Sequence, residues 1–144
     1  MVEDAPVDPR GPRFTASATA AVLALVLLTG WWPVLAVQAL VFAASGFVSL
    51  SLNPWSLLYR FLVAPRLAPT AEREDAAPLR FAQGVGFAFT LVGTIGYATG
   101  LTGVGVVATS FALVAALLNA VFNFCLGCEA YLLLRRLAPA PARQ

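Results

Sequence analysis

Residues 14–59 read FTASATAAVLALVLLTGWWPVLAVQALVFAASGFVSLSLNPWSLLY, 46 residues between Arg13 and Arg60 without a charged side chain. A helix that crosses a bilayer needs about 20 apolar residues at about 1.5 Å each. The stretch is about twice that length. Near its midpoint stand Thr29-Gly30-Trp31-Trp32-Pro33. Glycine and proline break a helix there, and paired tryptophans suit a membrane interface. It reads as two helices joined by a turn. A second uncharged run, 48 residues between Arg80 and Glu129, repeats the plan around Gly100-Leu101-Thr102-Gly103.

The expected fold is therefore all-α, a polytopic membrane protein whose four transmembrane helices form two helical hairpins. The spans fall near Phe14–Gly30, Pro33–Leu52, Phe81–Leu101 and Val104–Phe124, inside one membrane domain over 14–137. The charges fall into three blocks, before, between and after the hairpins, so all nine arginines come to one side. The positive-inside rule makes that side the cytoplasm and puts both termini there. Residues 1–13 read as a cytoplasmic tail, 64–80 as a cytoplasmic linker and 138–144 as a flexible tail. After the second span, Pro54–Val63 reads as an interfacial amphipathic helix with Asn53 as its cap, and residues 129–137 as a C-terminal amphipathic helix. The first span reads as retained, because a second apolar span follows at once and no small-x-small cleavage site intervenes.

Composition agrees. The chain of 144 residues is 60% hydrophobic and 11% charged, against about 25% charged in soluble domains. That excludes an ordinary water-soluble enzyme domain. A net charge of +2 with scattered arginines excludes a nucleic-acid surface. The expected environment is the lipid bilayer.

The spans hold no carboxylate, Lys, Arg or His, which argues against a proton- or ion-coupled pump. Gln38, Asn119 and Asn123 form a possible polar path, although hydrogen bonding between helices is the simpler use of such residues. Gly86, Thr90, Gly93, Tyr97 and Gly100 recur at helical spacing and read as a packing seam. A repeat is also visible. Arg13-Phe14 and Arg80-Phe81 open the two hairpins at an offset of 67, and Asn53–Tyr59 matches Cys125–Tyr131 at an offset of 72.

The reactive constellation is Cys125-Leu126-Gly127-Cys128, the only two cysteines of the chain. Cysteines at i and i+3 share a helical face and lie within bridging reach. Such a pair cycles between dithiol and disulfide, accepts sulfur, holds a soft ion such as Cu(I), or serves as small apolar packing. A helix unbroken from Val104 to Leu134 would be about 46 Å long against a core of about 30 Å. A break near Leu126-Gly127 is expected, with the pair at the start of a second helix, Glu129–Leu137. Gly127 would ease a bridge, and Glu129 stands beside Cys128. Two cysteines without histidine do not complete a structural zinc site, and no metal or cofactor is expected.

Asn123-Phe124-Cys125-Leu126-Gly127-Cys128 and Asp8-Pro9-Arg10-Gly11-Pro12-Arg13-Phe14 resemble the signature of the bacterial family catalogued as domain of unknown function 4395, its actinobacterial members most. Asn53-Pro54 and the following Leu-Leu-Tyr-Arg run fit as well. The resemblance, from Asp8 to about Leu137, implies a multi-pass protein of the bacterial inner membrane and an F-C-x-G-C motif at Cys125, Gly127 and Cys128. It implies no established activity, and it suggests thioredoxin-like or rhodanese-like cytoplasmic partners. Three functions compete: a cytoplasm-facing membrane thiol protein, a scaffold or assembly subunit of a larger membrane complex, and a small permease subunit for a sulfur compound. The last two require a homo-oligomer or a partner complex.

Overall fold

The computed structural model describes residues 10–67 and 76–137, and every regular element among them is helical. The parts of the expected tails and linker at 1–9, 68–75 and 138–144 lie outside the described residues, as do Glu72, Arg73, Glu74, Asp75 and the Asp8-Pro9 of the N-terminal motif. Helices α1 (Arg10–Thr29), α2 (Trp32–Phe47), α3 (Pro54–Leu58), α4 (Ala76–Ala98), α5 (Thr102–Phe122) and α6 (Leu126–Leu137) follow in order.

Three of them are long and apolar enough to cross a membrane: Arg10–Thr29, Ala77–Ala98 and Thr102–Phe122. Helix α2 is apolar but has 16 residues, about 24 Å of rise. It stops at Phe47, short of the expected Leu52; Val48 departs from ideal helical dihedrals (φ −115°, ψ −70°), and Asn53, which precedes Pro54, is extended (φ −69°, ψ 121°). A 3-10 turn, Leu50–Leu52, absorbs the change of direction. Helices α1 and α4 begin earlier than the hydropathy suggests. Pro12 and Pro78 lie in their first turns, where a missing N–H costs nothing. The expected interfacial helix is a composite. After α3 the chain passes into a π-helical turn, Tyr59–Val63, and a 3-10 turn, Ala64–Arg66.

Packing crosses between the two halves of the chain. Helix α2 lies chiefly against α4, α1 against α5, and α4 also against α5, while α1 and α2 touch more sparingly. Small residues set these contacts. A Cβ on Gly46 would stand 2.9 Å from the Gly84 nitrogen, and one on Gly96 would stand 2.6 Å from the Gly105 nitrogen. Within the expected seam, Gly86 receives the Phe42 ring of α2, and Gly93 faces both Leu35 and Thr109. The seam thus serves two partner helices.

Leu23, Val26 and Leu35 form an apolar core, but small polar side chains share the interior and large apolar ones cover the outside. Thr15, Thr19, Gln38, Ser45, Thr90 and Thr109 are buried, whereas Leu28, Leu40, Val107, Phe111 and Val121 are exposed. Two of these hydroxyls bond within their own helices, Ser45 to Val41 O at 2.8 Å and Thr90 to Gly86 O at 2.8 Å, while Thr15 pairs with the Ser56 hydroxyl of α3. An outer surface this apolar suits a hydrocarbon surround.

One end of the bundle collects the arginines. Arg13 of α1 donates to the Ala120 and Val121 carbonyls at the end of α5 (3.0 and 3.4 Å), and Arg80 of α4 donates to the Val48 carbonyl just past α2 (3.2 Å). A cation at a helix C-terminus meets unsatisfied carbonyls and the negative end of the macrodipole. Phe14 packs on Tyr59 and Phe81 on Tyr131, centroids 5.8 and 5.7 Å apart, which brings α3 and α6 to this same end.

Candidate functional site

Helix α5 ends at Asn123, the one non-glycine residue with positive φ among those described (φ 56°, ψ 34°). Asparagine tolerates this left-handed conformation better than most residues. The Asn123 N–H bonds to Asn119 O and the Phe124 N–H to Leu118 O, both 3.1 Å, so carbonyls of the last turn are satisfied. The break therefore falls at Asn123–Cys125, a few residues before the expected Leu126-Gly127. Asparagine's access to the left-handed region decided the place, and α6 begins at Leu126 instead of Glu129.

This shift sets the position of the cysteines. Cys125 occupies the position before α6 and Cys128 its first turn. The two are joined as a disulfide, with Cα atoms 5.2 Å apart. The Cys128 backbone N–H donates to Cys125 Sγ at 3.1 Å, and the Glu129 N–H donates to the Cys125 carbonyl at 3.0 Å. Cys125 thus does for α6 what a capping side chain does, satisfying an N–H that the first turn leaves unpaired. Both cysteines are half-buried and Glu129 is exposed.

Helix α6 reaches α4 at Gly127. A Cβ there would stand 2.5 Å from Ala82 Cβ and 2.6 Å from Ala82 Cα. Gly127 is thus required by close approach of two backbones, a stricter role than easing a bridge. Farther along, Tyr131 packs on Phe81, and Arg135 donates to the Tyr131 hydroxyl at 3.0 Å. Sequence reasoning did not single out Ala82. Its signal was present, since it follows the Arg80-Phe81 pair that opens the second half.

The three residues of the possible polar path occupy different settings. Gln38 is buried on α2, its Oε1 accepting from Trp55 Nε1 at 3.4 Å. Asn119 lies on α5 beside a cavity, and Asn123 is exposed in the cap. Neither Gln38 nor Asn123 lines that cavity. Among the described residues no group of three or more His, Cys, Asp or Glu side chains is placed to hold a metal ion.

An all-helical chain with three helices apolar enough to span a membrane, carrying a disulfide at a helix start, defines the class. The family described as Domain of unknown function (DUF4395) matches residues 7–136, and the chain belongs to that family. No curated protein and no solved structure matches it.

Proposed function

We propose that this is a four-span protein of the bacterial inner membrane, with both termini cytoplasmic, whose Cys125–Cys128 pair serves redox or sulfur handling, exchanging electrons with a thioredoxin-like or sulfane sulfur with a rhodanese-like cytoplasmic partner. The observation that carries the reading is the Cys128 N–H donated to Cys125 Sγ at the start of α6. In the reduced form, that donor and the positive end of the helix dipole favour the ionised sulfur at Cys125, the reactive form of a thiol. Exchange follows ordinary thiol–disulfide chemistry. A thiolate of the partner's dithiol attacks one sulfur of the pair and forms a mixed disulfide. The partner's second thiol then displaces it. Two electrons and two protons reach Cys125 and Cys128, and the partner leaves as a disulfide. Arg135 and Arg136 near the end of α6, and Arg60 and Arg66 beyond α3, are exposed cations suited to a membrane interface.

Membrane-permeant and impermeant maleimides, applied to intact cells expressing wild type, Cys125→Ser or Cys128→Ser, test this. We expect labelling only by the permeant reagent, a labelled fraction that follows cellular oxidant, and faster alkylation of Cys125 (in the Cys128→Ser variant) than of Cys128. A bond that stays closed under every growth condition, with unchanged growth of both variants, would make the pair a structural staple and put the scaffold reading first.

A further inference from the structure

At the arginine end a cavity of about 330 Å³ lies between α1, α4 and α5, with α6 along one side, a volume at the lower end of small-molecule sites. Three aromatic rings, Phe42, Phe89 and Phe111, contribute to its wall, with the last two 6.0 Å apart. Among the described residues no charged side chain lines it. Its polar members are few. Thr19 is 3% exposed and its hydroxyl has no hydrogen-bond partner. Asn119 on α5 brings a carboxamide, Gln83 of α4 accepts from Asn53 Nδ2 through its Oε1, and Thr15 shares a hydrogen bond with the Ser56 hydroxyl.

A buried hydroxyl without a partner is costly, and more so where the surround is hydrocarbon. Thr19 and Asn119 both offer N–H or O–H donors. A lining without charge disfavours an ionic ligand, whose desolvation nothing here would offset. Phenylalanine rings favour a planar ring set against them. We infer that this cavity binds an uncharged, lipid-soluble planar ring bearing a carbonyl oxygen, accepting hydrogen bonds from Thr19 and Asn119 with its ring among Phe42, Phe89 and Phe111. Neither cysteine lines the cavity, although Leu126 and Gly127 between them do, and the proposed contacts use no sulfur atom.

The test measures equilibrium binding to the purified full chain in phosphatidylcholine nanodiscs. The probe is 2,3-dimethyl-1,4-naphthoquinone, which has no open ring position for thiol addition, with 2-methylnaphthalene as the hydrocarbon control. We expect saturable one-to-one binding of the quinone, about tenfold or more tighter than the hydrocarbon. Asn119→Leu should weaken quinone binding about tenfold and the near-isosteric Thr19→Val about threefold, each leaving the hydrocarbon's affinity unchanged. Ala116→Leu, which fills the cavity wall, should abolish both. Three results overturn the inference: no saturable binding, equal affinity for the two probes in wild type and Asn119→Leu, or quinone binding that survives Ala116→Leu. Retention of the disulfide and of the thermal midpoint in each variant establishes that it folds. Cys125→Ala/Cys128→Ala should bind the quinone as wild type does, so failure of the thiol reading and failure of this one are separable.

Discussion

Gly127→Ala adds one methyl group where α6 meets α4, and the geometry sets the sign of its effect. The new carbon would lie 2.5 Å from Ala82 Cβ and 2.6 Å from Ala82 Cα, whereas carbon atoms rest comfortably about 3.5–4.0 Å apart. Helix α6 must retreat by about 1 Å at its first turn. Overpacking of this kind costs about 1–3 kcal/mol. Alanine in place of glycine within a helix returns about 0.5–1 kcal/mol, so the net loss is about 0–2.5 kcal/mol and the clash wins over nearly all of that range. Gly103 is the control, since it lies in the first turn of α5 with nothing within 4 Å of a Cβ. Gly103→Ala should be neutral or stabilising. Thermal unfolding of the purified chain in detergent reads both. The retreat also moves the backbone between the two cysteines, so the fraction of disulfide in a fixed glutathione buffer should change for Gly127→Ala alone. Combining it with Ala82→Gly closes a double-mutant cycle, and a coupling of about 1 kcal/mol or more is expected for residues in direct contact. Equal stability of the Gly127→Ala and Gly103→Ala proteins, or zero coupling to Ala82, would refute the close approach.

Asn123 holds φ 56°, so Asn123→Gly should match wild type in thermal stability and Asn123→Val should lose about 1–2 kcal/mol. Arg13→Gln removes a cation from the α5 carbonyls and should cost about 0.5–1 kcal/mol at low salt, an effect that shrinks when the melt is repeated in about 1 M salt. Gly96→Leu drives a side chain into the Gly105 backbone. It should cost about 1–3 kcal/mol or more and expose the α4–α5 turn to limited proteolysis, whereas Gly100→Ala strains only a positive-φ turn residue.

The helical plan was legible because charge and turn residues punctuate long apolar runs. The gap from Arg13 to Arg60 and the Gly30–Pro33 break sufficed to place α1 and α2, and Gly100 with Gly103 placed the turn before α5. Helix ends were less legible, for reasons of local backbone chemistry. Helix α2 ends where Val48 leaves ideal helical dihedrals, well before the extended Asn53, and the end of α5 depended on which residue near the cysteines takes the left-handed conformation. Asn123 took it, although glycine at 127 looked the stronger breaker. Gly127 was spent instead on tertiary contact with Ala82, which no local pattern reveals. Partner choice between helices was hidden for the same reason. Gly96 and Gly105 bring α4 and α5 together, while α1 and α2 touch sparingly.

The repeat gains physical content from these contacts. Each half begins with an Arg-Phe pair whose arginine caps the second long helix of the other half, Arg13 on α5 and Arg80 on the end of α2. In each half the phenylalanine packs on a tyrosine of the short helical segment that follows, Tyr59 just past α3 for Phe14 and Tyr131 of α6 for Phe81. The short helices then differ at one functional point. Asn53 Oδ1 accepts the Trp55 N–H at 2.9 Å, and Cys125 Sγ accepts the Cys128 N–H at 3.1 Å. The same structural task, capping a short helix at the arginine end, is carried by an amide in one half and by a sulfur in the other. A sulfur is the weaker acceptor, so capping alone does not account for cysteine at 125 when asparagine at 53 performs it. What cysteine adds is a bond to Cys128, and in the reduced form an ionisable atom held beside an N–H donor. Asn53→Cys with Ser56→Cys would install the same pair at the equivalent place. If the cap geometry governs reactivity, the engineered pair should close on mild oxidation. Once reduced, the thiol introduced at the Asn53 position should alkylate faster than the one at the Ser56 position, as read by mass spectrometry after timed maleimide quenching. An engineered pair that closes but shows no such asymmetry would refute the cap as a source of thiol reactivity at this position.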